Sequence, residues 1–150
     1  MKHCFMFLLG IFLSATLCGQ NYSSEVVFLQ QQGNTLTVRA LGISEKKKEA
    51  ANMALKSAFY TLFYTGVDGV NKGNPMISTA KPDYDRRFFD ENRYSVFVKD
   101  YTITEGPEKQ GKQYRCTVEM TILFDALQKD LNRNKVQTSM PYLPPLSSSH

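Results

Sequence analysis

The chain has 150 residues, 42% of them hydrophobic, and carries 18 Lys and Arg against 14 Asp and Glu. A balance of +4 is too mild for a nucleic-acid binder, whose basic patch must offset many phosphates, so no nucleic-acid partner is expected. Histidine is limited to His3 and His150 and cysteine to Cys4, Cys18 and Cys116, which leaves no Ser-His, Cys-His or His-metal constellation to build in the folding part.

Lys2, the apolar run from Phe5 to Ala15 (broken by Gly10 and Ser14) and the small or neutral Thr16 to Gly19 follow the order of a secretory signal peptide. The run is shorter than the roughly 20 residues that span a bilayer. Residues 1–19 are therefore read as a signal cut after Gly19. The mature chain is expected in the periplasm, or associated with the outer membrane, of a Gram-negative bacterium. The alternative is lipidation of Cys18, which the bulky Leu17 before it disfavours; membrane association is expected only in that case. About 130 residues remain, enough for one domain. Cys116 is then the sole mature cysteine, so no disulfide framework is expected despite an oxidising destination.

Glu25 to Gln31 reads as a strand and Gly33-Asn34 as a turn. Thr35 to Leu41 alternates with period two: Leu36, Val38 and Ala40 face one way, Thr35, Thr37 and Arg39 the other. A hairpin with the first strand follows. Ser44 offers a capping oxygen and Glu45 a negative charge at the start of a helix running to about Thr65. Ala51, Ala54, Leu55, Ala58 and Leu62 form its apolar stripe; Lys46, Glu49, Asn52 and Lys56 lie on the far side. Small side chains let this helix lie close on a sheet, and Gly66 ends it. Lys46-Lys47-Lys48 reads as a solvated helix face.

Residues 67–93 form a long insertion, with Gly69, Gly73, Pro75 and Pro82 as breakers, a short helix near Tyr84 to Asn92, and more apolar groups than a free linker carries. Tyr94 to Thr104 reads as a strand with an irregularity near Lys99-Asp100. Val96 and Val98 take one face, and Phe97, Tyr101 and Ile103 the other. Gly106-Pro107 to Gly111 reads as a polar hairpin loop. The next strand sends Tyr114, Cys116, Val118, Met120 and Ile122 one way and Arg115, Thr117, Glu119 and Thr121 the other. Phe124 to about Arg133 is a short helix facing inward through Phe124, Leu127 and Leu131. Residues 136–150, rich in Pro and Ser, read as a mobile tail, leaving a domain over 20–135. The fold expected is α+β: a small, mainly antiparallel sheet with one long alanine-rich helix on one face and a short C-terminal helix.

Two stretches carry a family resemblance. Val38-Arg39-Ala40-Leu41-Gly42 followed by Glu49-Ala50-Ala51-Asn52-Met53-Ala54-Leu55-Lys56-Ser57-Ala58 resembles the N-terminal module of the flagellar assembly protein T and related small domains of bacterial envelope lipoproteins. Phe63-Tyr64-Thr65-Gly66-Val67, Phe88-Phe89 and Tyr94-Ser95-Val96-Phe97-Val98 are similar to exported proteins of Bacteroidota, over about 35–131. The resemblance implies a non-enzymatic part of an envelope machine.

Candidate chemistry is sparse. Asp83, Asp85, Asp90 and Glu91 gather carboxylates, but no glycine turns the cluster and Arg86-Arg87 compete for it, so no metal is expected. Cys116 on an apolar strand face reads as a small core residue, and Gly66, Gly69 and Gly73 as turns rather than a phosphate loop. Tyr84, Arg86, Arg87, Phe88 and Phe89 combine the residue types that anchor interfaces and form the candidate partner-binding set, with packing over the domain's own core as the competing reading. The function expected is an exported adaptor or assembly module that binds another envelope protein, with no catalytic residue and no cofactor. A carbohydrate- or peptidoglycan-binding module and a small carboxylate-dependent hydrolase are the alternatives, marked by a flat aromatic platform and by a deep pocket with paired carboxylates.

Overall fold

The computed structural model describes residues 22–140. The expected signal, its cut after Gly19, the alternative site Cys18 and the segment from 141 to 150 lie outside the described residues. The chain folds as α+β around an antiparallel four-stranded sheet, β1 (Val26–Gln32), β2 (Thr35–Ser44), β5 (Gln113–Leu123) and β4 (Val98–Gln110), in the spatial order β1-β2-β5-β4. Gly33 turns β1 into β2 with a φ of +56°. Such a φ is accessible to glycine without the crowding a Cβ brings. The two central strands keep an unbroken register from Thr35↔Leu123 to Ser44↔Tyr114. As their alternation predicts, Leu36, Val38 and Ala40 meet Cys116, Val118, Met120 and Ile122 on one buried face. The other face is polar, with Thr37 and Thr121 hydroxyls 3.3 Å apart and Arg39 paired to Glu119 at 3.1 Å.

α1 (Ala50–Tyr60) crosses the buried face, entered through a 3-10 turn, Lys47–Glu49, and prolonged by a wide turn, Thr61–Thr65. The Ser44 hydroxyl accepts the Lys46 N–H at 3.1 Å, so it shapes the exit from β2 and does not cap the helix. The crossing itself is set by Gly42. A Cβ there would stand 2.0 Å from the Ala50 carbonyl oxygen and 2.3 Å from the Ala54 nitrogen. Backbone therefore rests on backbone, and Ala50, Ala54, Ser57 and Ala58 supply the thin side chains that the approach requires. The stripe is rotated slightly from the expected one: Ala50 is sealed and Ala51 is half-buried. The segment before β1 is tied across α1. Ser23 donates its N–H to the Ser57 hydroxyl and accepts from Thr61, which satisfies both buried hydroxyls.

The insertion forms a second layer over the aromatic end of the core. β3 (Ile77–Thr79) leads to α2 (Pro82–Asp85), prolonged by a wide turn, Arg86–Asp90. A 3-10 turn at Arg93–Phe97 replaces the strand start expected from Tyr94, and β4 begins at Val98. β4 also runs through the expected loop at Gly106-Pro107 to Gln110, because β5 is long enough to pair with it throughout and irregularities in register absorb the misfit. α3 (Phe124–Arg133) buries Phe124, Leu127 and Leu131 as predicted. The tail begins later than expected. Val136 is buried and β6 (Gln137–Thr138) pairs with β3, since one branched side chain and two ladder residues suffice to dock a segment that shows no period. Among the described residues no helix is long and apolar enough to cross a membrane.

Candidate functional site

The five residues of the candidate partner-binding set are not one surface. Tyr84 and Phe88 stand four apart on α2 and its continuation, so they share a helix face, and their rings stack at 5.6 Å. That face points inward: Tyr84 is 2% exposed, Phe88 0% and Phe89 5%. Phe88 meets Phe63 at 4.9 Å, Phe59 edge-on at 5.3 Å and Phe97 at 5.9 Å. A partner cannot reach these rings, and the core-packing reading holds for the aromatics of the set. Arg86 and Arg87 do lie outside. Arg86 pairs with Glu91 at 2.7 Å, both side chains 56% exposed, and Arg87 Nε reaches the Asp83 carbonyl oxygen at 3.4 Å.

A buried polar anchor bolts the insertion to α3. Asp130, 4% exposed, accepts the Tyr84 hydroxyl at 2.8 Å and the Arg93 guanidinium. Burial first, and then the bond to Asp130, push the Tyr84 phenol above its ordinary value. Lys81 Nζ adds a bond to the Asn134 carbonyl oxygen at 2.5 Å. The signal for Asp130 was present in the sequence: it sits on the same helix face as Leu127 and Leu131, where a carboxylate demands a partner.

The acidic stretch is dispersed. The Tyr64 hydroxyl donates to both Asp85 oxygens, at 2.5 and 2.6 Å. Burial raises the Asp85 carboxyl, and the Tyr64 bond opposes that rise. Among the described residues no three His, Cys, Asp or Glu side chains are placed to hold a metal ion. Cys116 is buried, and burial pushes its thiol up, which disfavours the thiolate that reactivity needs. A surface aromatic group exists at Tyr22, Tyr60 and Tyr64. Tyr22 and Tyr60 stack at 4.7 Å and 24°, so their ring faces are turned on each other rather than outward as a platform. Burial, then Asp90, push the Tyr22 phenol up to about 12.

A more open surface lies between α1 and β4. The helix rests on β2 and β5 and scarcely reaches β4. Tyr101 pairs opposite Met120, and Ile103 opposite Val118, which puts both on the face that α1 covers farther in. They nonetheless remain 48% and 43% exposed. Between α1 and β4 runs an open groove of about 450 Å³, lined by Asn52, Leu55, Tyr94, Val98, Lys99 and Tyr101 among others. Lys56 Nζ lies 5.7 Å over the Tyr94 ring at its wall. Among the described residues β4 has no sheet neighbour on its outer side, so its outward backbone groups are unpaired within the described sheet. Sequence reasoning placed Tyr101 and Ile103 on one strand face but could not see that the helix falls short of them.

Comparison of the chain with protein-family models, with curated proteins and with solved structures finds no match.

Proposed function

We propose that this chain is an exported, non-enzymatic adaptor of the cell envelope that takes its protein partner on the free edge of β4. The observation that carries the reading is the exposed Tyr101–Ile103 strip on an edge strand, beside an open groove. Apolar side chains at a sheet edge favour an added strand: main-chain bonds supply affinity, and the alternate side chains select the partner. The buried chemistry is consistent with that role, because the polar network at Asp130 fastens the insertion and Cys116 is sealed. The backbone crossing of Gly42 over Ala50 and Ala54 lies within the stretch that resembles envelope-assembly modules, and export follows from the expected signal.

Affinity isolation from the native envelope tests the reading. Tyr101→Ser with Ile103→Ser should leave the melting midpoint nearly unchanged and remove the co-purifying envelope protein. Arg86→Ala with Arg87→Ala, on the exposed side of the insertion, should recover it as the wild type does. Loss with the arginine pair and retention with the strand pair would overturn the assignment of the surface.

A further inference from the structure

Resting on the export in that reading, we infer that the signal is cut before the domain closes: Tyr22 to Glu25 form a strap that, once docked on α1, holds the bond after Gly19 too near the domain for a peptidase to take it. The strap is fastened at three points. The Tyr22 ring stacks on Tyr60 at 4.7 Å and meets Phe89 at 5.5 Å. Ser23 donates its backbone N–H to the Ser57 hydroxyl at 3.1 Å, and its carbonyl oxygen accepts the Thr61 hydroxyl at 3.3 Å. The Glu25 carbonyl oxygen accepts the Leu41 N–H at 3.1 Å, which joins the strap to β2. Ser57 and Thr61 stand four apart on one face of α1 and its continuation, 0% and 2% exposed. Lifting the strap takes both buried hydroxyls away from these partners and Tyr22 away from Phe89, so the closed state is the populated one.

Spacing turns this fastening into an order of events. Only Gln20 and Asn21 separate the expected cut from Tyr22. Two residues span at most about 7 Å. The step is a hydrolysis: water adds across the Gly19–Gln20 amide, leaving a carboxylate on Gly19 and an amine on Gln20. A peptidase takes such a bond in an extended stretch, with residues on both sides of it in the cleft and their backbone groups paired to the enzyme. On the product side that stretch runs from Gln20 into the strap. In the closed domain Ser23 has already given its N–H and its carbonyl oxygen to α1. The same two groups cannot serve the helix and the enzyme at once. Cutting is therefore fast on a chain whose strap is still open, and on the closed domain it waits for the strap to lift. The cut comes first and the docking of Tyr22 and Ser23 follows it.

Cell-free synthesis of the whole 150-residue chain, followed by intact mass, tests the order. With detergent-solubilised signal peptidase present throughout synthesis, a product beginning at Gln20 is expected. With the peptidase added only after folding, the rate of cutting should fall by about tenfold or more, because it then tracks the open fraction. A Gly-Ser linker of about six residues between Asn21 and Tyr22 moves the bond away from the strap and should restore the fast rate in the folded chain. Ser57→Ala with Thr61→Val removes both hydroxyls that hold Ser23 and should speed cutting of the folded chain, with folding checked by its melting transition. Slow cutting of the folded chain that the linker relieves supports the inference. Equal rates before and after folding, or slow cutting that the linker does not relieve, overturn the order and leave export standing. No product beginning at Gln20 under either regime overturns the export reading, and the inference falls with it.

Discussion

The insertion helix and the outer strand are built from similar side chains and have opposite fates. Tyr84-Asp85-Arg86-Arg87-Phe88-Phe89 sets aromatics beside charge, and so does Lys99-Asp100-Tyr101-Thr102-Ile103. In the first, the i, i+4 spacing gathers Tyr84 and Phe88 on one stripe, the stripe folds onto Phe59 and Phe63, and the charges are left outside. In the second, alternation sends Tyr101 and Ile103 to the face that continues the core, but α1 runs out before it reaches them. Composition thus marks both regions as sticky. Cover decides which one is a wall of the core and which is a surface.

The widest separation between the two regions is expected in stability. Phe88→Ala removes a ring with no exposed surface and five aromatic neighbours, and should cost about 3–5 kcal/mol in denaturant melts. A loss below about 1 kcal/mol would mean that the insertion is loosely attached and that its aromatics are free after all. Tyr84→Phe keeps the ring and removes one hydroxyl from Asp130, which still holds Arg93. A cost of about 1–2 kcal/mol is expected, and a neutral effect would break the case for the buried anchor.

Alkaline titration separates the regions without mutation. Tyr22, Tyr64, Tyr84 and Tyr94 all have phenols raised by burial. In the unfolded chain tyrosines ionise near pH 10, while these four stay protonated in the fold. Above that pH the unfolded state therefore binds fewer protons, and stability falls as pH rises; below it their contribution is fully present. For Tyr22 the window runs from 10 to about 12. At pH 10.5 the loss should be smaller than that caused by Phe88→Ala. Tyr84→Phe should flatten the slope, whereas a slope unchanged in that variant would dissociate it from the buried phenol. The smallest effect belongs to the outer strand: Ile103→Ser should shift stability by less than about 0.5 kcal/mol, and a larger loss would turn the strip into part of the core.

The period-two alternation of Thr35 to Leu41 and of Tyr114 to Ile122, the glycine turn at Gly33 and the apolar spacings of Ala54, Ala58 and Leu62 and of Phe124, Leu127 and Leu131 determine the α+β class, both central strands and two of the helices. They can do so because side-chain direction within an element is a local property of backbone geometry. Asp130 was missed, although its place between Leu127 and Leu131 on an apolar helix face was a signal that could have found it. Four things belonged to the tertiary structure alone: the closeness of Gly42 to Ala50 and Ala54, the docking of Val136 and β6, the inward turn of Tyr84 and Phe88, and the exposure of Tyr101 and Ile103. Each depends on where a second element lies across the first. A periodic pattern states which residues share a face; only the assembled sheet and helices decide whether that face meets protein or water.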